Sequence, residues 1–260
     1  MKDILIGIQL WYGNKEIDFS KFSFDFLEID LETLTVKDLG SLNFPEKFAF
    51  HAPHSIKFSH INENVERVML KELKNAAILA SEKGAEYINY HFNFQFYGLK
   101  TLDAMLKEKA KQNVLSLLRK RYKCEILFEN LREGIFSSDD IFSFLISNKA
   151  NLCLDIGHLA LQVFNKEKDL KKFYIYLDNF MESFGNHVKT VHLHNVALNK
   201  KGILVDHTLN GFLDIFRVLE MLSSYEIKFI VLEIFSLNAE RIPFDYSILE
   251  NFANKIRKKI

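Results

Sequence analysis

The sequence predicts an α/β protein built as a single (β/α)8 barrel, with residues 1–260 forming one domain. Its 260 residues match the usual barrel length of about 250 residues, and 48% of them are hydrophobic, enough for one large core. Eight short apolar runs recur along the chain at roughly regular intervals, with stretches of helical periodicity between them. No segment rich in Ser, Gly or Pro marks a linker between domains.

The eight apolar runs are interpreted as β-strands. Each is short and nearly continuous in apolar residues, the pattern of a parallel strand that is covered on both faces. Because helical stretches alternate with them, each connection returns the chain to the same edge of the sheet, which requires parallel pairing. Eight repeats favour a closed barrel over an open sheet. The predicted strands span residues 4–8, 26–29, 48–51, 87–91, 126–129, 152–155, 190–194 and 230–233.

The clearest helix is predicted over residues 63–83, where apolar residues from Val65 to Ala80 recur every three or four positions. Asn62 is a candidate N-cap and Gly84 a candidate C-cap of this helix. Similar periodicity predicts further helices between the later strands. They span about 102–118, 137–145, 212–222 and 246–258, while the unit at 31–42 is short and the least regular.

The amino-acid composition argues against several classes of protein, including DNA-binding, secreted and membrane proteins. Lys and Arg together number 34, equal to Asp and Glu, so the whole molecule has no strong positive field to attract DNA or an acidic membrane. The two cysteines, Cys124 and Cys153, suit buried thiols in a reducing compartment better than a disulfide framework. The apolar runs are too short for a signal peptide or a membrane-spanning segment. We therefore expect a cytoplasmic protein without a membrane partner.

Seven of the eight predicted strands end on or next to His, Asp or Glu. In a (β/α)8 barrel the carboxyl ends of the strands form the functional rim, so these side chains are expected to meet there. Burying carboxylates and imidazoles together is costly unless a cation balances them. The mixed ligand set favours Zn, Mn, Co or Fe over Ca. The rim set is His51, His91, Glu129, Asp155, His158, His192 and Glu233, with Asp206 and His207 in the loop after the seventh strand.

Six short motifs occur in a fixed order along the chain. They are Phe50-His51-Ala52-Pro53, Phe128-Glu129-Asn130-Leu131, Leu154-Asp155-Ile156-Gly157-His158, Val191-His192-Leu193-His194-Asn195, Asp206-His207 followed by Leu209-Asn210-Gly211, and Leu232-Glu233-Ile234. Over residues from about 4 to 236, this ordered set resembles the xylose isomerase-like TIM barrels. That superfamily includes sugar-phosphate isomerases and epimerases, ketose 3-epimerases, inosose-type dehydratases and endonuclease IV.

The resemblance implies a divalent-metal-dependent isomerase or epimerase whose substrate is a small sugar, a sugar phosphate or a related keto-polyol. Glu129, Asp155, His192 and Glu233 match the four ligands of the family's central metal. Glu129 and Glu233 would exchange a proton at the carbon beside a metal-polarised carbonyl. His158 follows Asp155 with the family's Asp-x-x-His spacing and would bind a substrate oxygen or a second metal.

The same resemblance leaves a second function open, that of an endonuclease IV-like zinc phosphodiesterase acting at abasic sites in DNA. The second and third metal ions of such an enzyme would use His51, His91, His158, Asp206 and His207.

Several departures from the endonuclease pattern favour the isomerase. The segment Asn195-Val196-Ala197 stands where the endonuclease has Asp-Ser-Lys, and Asp206 and His207 are adjacent instead of separated by one residue. DNA is therefore expected as a partner only under the alternative function.

Four residues are candidates for substrate contacts, and they are Trp11, Glu28, Asn130 and His194. Trp11, the only tryptophan, could stack on a sugar ring or pack beneath a loop. Lys57 and Arg132 are candidates for contact with a phosphate. Barrels of this family often pair through their rims or helices, so the resemblance also leaves a homo-oligomer open.

Overall fold

Ten β-strands are found in a computed structural model that describes residues 4–11, 14–34, 46–133, 135–166, 169–237 and 245–260. The strands are β1 (Leu5–Leu10), β2 (Phe26–Asp30), β3 (Phe48–His51), β4 (Tyr87–His91), β5 (Glu125–Glu129), β6 (Asn151–Asp155), β7 (Val188–Leu193), β8 (Asn195–Leu198), β9 (Leu204–Thr208) and β10 (Phe229–Leu232). Eight of them form a closed barrel in the order β1-β10-β7-β6-β5-β4-β3-β2, and every neighbouring pair is parallel. The predicted (β/α)8 fold is confirmed.

Helices connect most of the barrel strands and cover the outside of the sheet. Among the described residues they are α1 (Glu63–Lys83), α2 (Lys100–Leu118), α3 (Asp139–Ser147), α4 (Ile156–Lys166), α5 (Leu170–Phe184), α6 (Ile215–Leu222) and α7 (Tyr246–Lys259). The predicted caps of α1 are confirmed, because the Asn62 side chain accepts from two backbone N–H groups and Gly84 is left-handed at φ 77°. No helix in the described part of the chain combines the length and apolarity that crossing a membrane requires.

Three parts of the chain differ from the predicted elements. The segment between β6 and β7 contains two helices, α4 and α5, for which no bounds were predicted. Asp206 and His207 were predicted in a loop, but they lie in β9, which pairs with β8 as an antiparallel hairpin. Helix α6 begins at Ile215 because the Asp214 side chain accepts from the backbone N–H groups of Phe216 and Arg217. Most of the weak 31–42 unit lies outside the described residues.

The interior of the barrel changes from apolar to polar along the strand direction. Side chains alternate along a strand, so residues two apart face the same side of the sheet. A separate buried cluster lines the lower interior and consists of Phe26, Ala49, Tyr87, Leu127, Cys153, Phe229 and Val231. Two residues further along the same strands stand Glu28, His51, Asn89, Glu129, Asp155 and Glu233. The polar layer therefore rests directly on an apolar one.

Aromatic rings close the lower layer. The Phe26 ring packs edge-on against Phe229 with centroids 5.2 Å apart, and the Tyr87 ring lies 5.1 Å from Phe229. All three side chains are buried. The site above them is therefore walled off from the amino-terminal end of the barrel.

Candidate metal-binding site

A cavity of about 1330 Å³ opens at the carboxyl end of the barrel strands. The predicted rim residues that line it are His51, His91, Glu129, His158, His207 and Glu233. Each of them belongs to a different strand or to the segment that follows that strand. Strand order and the two-residue alternation therefore bring distant parts of the sequence to one opening.

Glu129, at the end of β5, lies at the centre of the cluster and is almost completely buried. Its Oε2 lies 3.2 Å from His51 Nε2 and 3.2 Å from His192 Nδ1. Its Oε1 lies 3.3 Å from His91 Nε2 and 3.4 Å from His158 Nδ1. One carboxylate therefore faces four imidazoles.

His192 and Glu233 form the second part of the cluster. Nδ1 of His192 lies 2.9 Å from Oε2 of Glu233, but neither atom has a hydrogen bond to a described residue. Buried polar atoms without partners are rare in folded proteins. Since both atoms are ligand types for a divalent metal, their orphaned lone pairs fit a shared cation.

Asp155 connects strand β6 with helix α4. Its Oδ1 accepts a hydrogen bond from the backbone N–H of His158 at 2.6 Å, the contact of an N-cap residue with the first helical turn. Its Oδ2 lies 2.9 Å from His194 Nε2. The Asp-x-x-His spacing thus has a local cause, because capping places His158 one turn above the carboxylate. Nδ1 of His158 lies 3.6 Å from Asp155 Oδ2 and 3.4 Å from Glu129 Oε1.

A second group of ligand types lies around Asp206. Oδ2 of Asp206 is 3.8 Å from His158 Nε2 and 3.9 Å from His207 Nε2, and it has no hydrogen bond to a described residue. The His207 ring stacks between His194 and Phe235, with centroids 4.1 and 4.7 Å away. His207 also adopts a left-handed φ of 54°, which is uncommon for a residue other than glycine.

Several imidazoles are oriented by backbone carbonyls. In each case Nδ1 lies within hydrogen-bond distance of a carbonyl oxygen, so a neutral ring would donate there and leave Nε2 for the cluster. The pairs are His51 with Ala52 at 2.9 Å, His158 with Asn130 at 3.1 Å and His207 with Glu233 at 3.1 Å.

The structure brings most of the predicted ligands together. Several groups of three residues each place one ligand atom per residue within 4.8 Å of the others. They include His51 with His91 and Glu129, Glu28 with His51 and His192, Glu129 with Cys153 and His192, His158 with Asp206 and His207, and His194 with His207 and Glu233. Asp155 is in register with His192 on the neighbouring strand. His158 Nδ1 lies within 3.6 Å of both Asp155 and Glu129 and so links these two carboxylates. All nine predicted metal-site residues therefore belong to one continuous cluster.

In this cluster, burial and the neighbouring charges shift the pKa values of the titratable groups in opposite directions. Burial alone would raise the pKa of Glu129, but the imidazoles of His192 and His91 outweigh it and hold that pKa well below its usual range. Burial alone would lower the pKa of His51 and His158, but the facing carboxylates raise these values to about 9 and about 10. For His207 burial dominates and lowers the pKa to about 4. Protons thus balance the carboxylates when no cation does.

Of the four predicted substrate contacts, only Trp11 lines the cavity. Glu28, Asn130 and His194 are buried, bonded to protein groups and outside the cavity lining, and their predicted contact with substrate stays a prediction. The Asn130 side chain is bonded to the backbone N–H and carbonyl of Asp155, and His194 Nε2 to its carboxylate. Glu28 accepts from the Tyr87 hydroxyl beneath the cluster.

Lys57 and Arg132, the candidates for a phosphate contact, both line the cavity. Arg132 lies 3.4 Å from Glu133 and 3.9 Å from Asp206, so carboxylates already offset part of its charge.

Two polar residues of β4 were missed by the sequence analysis. The Asn89 side chain donates to Glu129 Oε2, and the Tyr87 hydroxyl donates to Glu28 Oε2 at 2.6 Å. The alternation of Tyr87, Asn89 and His91 was the available signal, since all three face inward whenever His91 does.

No protein-family model and no curated protein matches this sequence. Solved structures do resemble it. A D-tagatose 3-epimerase-like protein has a TM-score of 0.66 and 18% identity, covering 98% of this chain and 99% of its own. The IolI protein with a bound zinc atom has a TM-score of 0.68 and 14% identity, covering 98% and 96%.

Endonuclease IV from Thermus thermophilus has a TM-score of 0.64 and 16% identity, and the match covers 98% of both chains. Identities this low establish the fold and leave the reaction undetermined. The chain therefore shares its (β/α)8 barrel fold with these three proteins.

Proposed function

We propose that the protein is a divalent-metal-dependent isomerase or epimerase of a small sugar, sugar phosphate or related keto-polyol. One observation carries the proposal. Glu129 at the end of β5 and Glu233 after β10 both bring an oxygen to His192 Nδ1, at 3.2 and 2.9 Å. Both carboxylates also line the same cavity. Two carboxylates facing one ligand pocket are suited to moving a proton on and off a single carbon.

Glu129, Asp155, His192 and Glu233 would hold the metal. The residues fit such an ion because His192 Nδ1 and Glu233 Oε2 are buried without hydrogen-bond partners. Imidazole and carboxylate ligands together suit Zn, Mn, Co or Fe. The zinc bound to IolI, a protein of the same fold, supports this class of ion.

When bound, the metal would supply Lewis-acid polarisation of the substrate carbonyl. One glutamate removes the proton from the neighbouring carbon, the carbon–hydrogen bond breaks, and its electron pair stays in the substrate as an enediolate. The other glutamate, which must enter the step protonated, gives its proton to a carbon of that enediolate, so the two glutamates exchange protonation states and atoms and charge balance. His158 lines the cavity above Glu129 and would hydrogen-bond a substrate oxygen. Trp11 would pack against the carbon skeleton.

The test uses purified protein loaded separately with Zn, Mn or Co and a panel of ketoses and ketose phosphates in deuterated water. We expect the proton signal of the carbon beside the carbonyl to disappear for at least one substrate, as followed by proton NMR. Glu129→Gln and Glu233→Gln should each abolish this exchange. Glu66→Gln, which removes a buried carboxylate from α1, serves as the matched control and should retain it. Equal exchange in Glu233→Gln and the unchanged protein would exclude the proposed proton transfer.

A zinc phosphodiesterase acting at abasic sites is the second candidate. Its support is the separate ligand group formed by His158, Asp206 and His207, in addition to the group around Glu129. The fold shared with endonuclease IV is compatible with it. The formal net charge of zero weakens it, because phosphate contacts contribute most of the affinity for DNA. Zinc-loaded protein that cleaves an oligonucleotide containing one abasic site, without proton exchange in any sugar, would favour this candidate.

A further inference from the structure

Glu28 is a fully buried carboxylate that the proposed proton transfer does not use. It extends from β2 across the barrel interior, where its Oε2 accepts a hydrogen bond from the Tyr87 hydroxyl at 2.6 Å. The same oxygen lies 3.2 Å from His192 Nε2, and Oε1 lies 3.0 Å from that nitrogen. Tyr87 and His192 belong to β4 and β7, neither of which neighbours β2 in the barrel. The carboxylate therefore joins strands that no backbone pairing connects.

The partners of Glu28 determine how His192 is oriented. A ring nitrogen that is hydrogen-bonded to a carboxylate oxygen acts as the donor and carries the proton, whereas Nδ1 of His192 has no hydrogen bond to the carboxylates it faces. Nε2 of His192 is the hydrogen-bonded nitrogen. A neutral imidazole has one N–H, and Nδ1 then carries the lone pair. Nδ1 is the atom that faces Glu129 at 3.2 Å and Glu233 at 2.9 Å.

We propose that Glu28 is a positioning residue that holds His192 with Nε2 protonated and so presents Nδ1 to the metal. Tyr87 assists by donating to Glu28, which fixes the carboxylate beneath the imidazole. The inference rests on the metal site of the proposed function. Metal-binding histidines generally donate their second N–H to such an acceptor, and loss of the acceptor typically weakens metal binding about 10–100-fold.

Burial argues against a substrate contact for Glu28, although one ligand atom from each of Glu28, His51 and His192 lies close enough to the others to hold a metal ion. Its side chain has no exposed surface and does not line the cavity, so a substrate hydroxyl has no access to it. Packing alone would favour an apolar residue at this depth, since the layer below consists of Phe26, Tyr87 and other apolar side chains. We therefore attribute the carboxylate at this position to its hydrogen bonds, which orient the His192 imidazole.

The experiment compares Glu28→Leu, Glu28→Gln and Tyr87→Phe with the unchanged protein. Zinc affinity is measured by competition with a chromophoric chelator, and the His192 Nε2–H proton is followed by NMR with ¹⁵N-labelled histidine. We expect Glu28→Leu to weaken zinc binding about 10–100-fold and to shift the Nε2–H signal upfield. Glu28→Gln keeps an oxygen acceptor and should lose less affinity. Tyr87→Phe should fall between Glu28→Gln and the unchanged protein.

Glu66→Gln is the matched control. Glu66 is also a buried carboxylate, and it accepts from the His60 backbone N–H at 2.9 Å and lies 3.1 Å from Lys109 Nζ, outside the cavity lining. Its loss should leave zinc affinity and the His192 signal unchanged. If Glu28→Leu fails to fold, Glu28→Gln and Tyr87→Phe decide the outcome.

Failure of the positioning role and failure of the proposed function would give different results in this experiment. Folded Glu28 and Tyr87 variants that keep both the zinc affinity and the Nε2–H signal of the unchanged protein would overturn the positioning role. An unchanged protein that binds no zinc would overturn the proposed function instead, while the Nε2–H signal of the metal-free variants would still report whether Glu28 accepts from His192.

Discussion

The Nδ1 atom of His192 lies 2.9 Å from the Oε2 atom of Glu233, and the two are not aligned for a hydrogen bond with each other. Both atoms are buried, and Glu129 Oε2 lies 3.2 Å from the same nitrogen. Lone pairs this close repel each other unless a proton or a cation lies near both. The state of this pair therefore depends on pH and on metal, which makes it accessible to experiment.

Stability of the metal-free protein should depend on pH. The carboxylates outweigh burial and raise the pKa of His51 and His158 from 6.5 to about 9 and about 10. A histidine whose pKa rises on folding contributes its full stability below the unfolded pKa and loses it as pH rises through the folded pKa. We expect the thermal midpoint of EDTA-treated protein to fall as pH rises from 6.5 to about 10, as followed by circular dichroism. Zinc-saturated protein should not lose stability over this range, since metal displaces the same protons. Parallel curves for both forms would contradict the expectation.

Glu129→Gln should weaken the fold as well as metal binding. The change leaves His51, His91, His158 and His192 without their shared carboxylate, and removing one partner of a buried ion pair typically costs about 3–5 kcal/mol. Urea unfolding in the presence of EDTA measures the loss.

The control for this substitution lies on the same strand. Glu125 Oε1 pairs with Lys228 Nζ at 2.7 Å at the opposite, exposed end of β5, where a surface pair contributes about 1 kcal/mol or less. Glu125→Gln should therefore leave the midpoint and the zinc affinity nearly unchanged. A similar loss in both variants would show that Glu129 has no special role in the cluster.

Gly157→Ala should disturb the contact between His194 and Asp155. A Cβ at Gly157 would overlap the His194 imidazole, whose Nε2 lies 2.9 Å from Asp155 Oδ2. We expect a loss of about 1–3 kcal/mol in the free energy of unfolding, the usual cost of overpacking. In a His194→Ala background this loss should largely disappear, because the ring that causes the overlap is gone. A cost that is equal in both backgrounds would assign it to the helix backbone instead.

Under the second candidate function, Asp206→Asn should remove one metal site and leave the other. Asp206 Oδ2 lies 3.8 Å from His158 Nε2 and 3.9 Å from His207 Nε2, and these three residues form a ligand group without Glu129. We expect zinc-saturated protein to lose one ion per chain, as measured by elemental analysis after gel filtration. Asp178→Asn, an exposed carboxylate on α5, is the control and should keep the full count. An unchanged ion count in Asp206→Asn would exclude this group as a metal site.

The barrel strands were predictable because parallel strands covered on both faces are short apolar runs. Each predicted strand ends within two residues of the observed one. Helix α4 was missed although its polar residues His158 and Gln162 are four positions apart; both are buried, since His158 lines the cavity and Gln162 donates to the Leu131 carbonyl. Helix α5 did carry a readable pattern, with Phe173, Leu177, Phe180 and Phe184 recurring behind the cap residue Asp169.

Only the part of the site formed by residues at the strand ends could be predicted from the sequence. Residues at strand ends could be assigned to the rim because a (β/α)8 barrel places its functional groups there. Strand position alone does not show whether a polar side chain lines the cavity or is buried beneath it. Glu28 was therefore interpreted as a substrate contact, and nothing in the sequence indicated its hydrogen-bond partners across the barrel, Tyr87 and His192.

The packed aromatic rings of Phe26, Tyr87 and Phe229, which close the amino-terminal end of the barrel interior, have a consequence for ligand exchange. Under the proposed function, closure at this end would make substrate and product share the opening at the carboxyl end of the strands. Product would then have to leave before the next substrate molecule enters, and accumulated product would compete with substrate for the cavity.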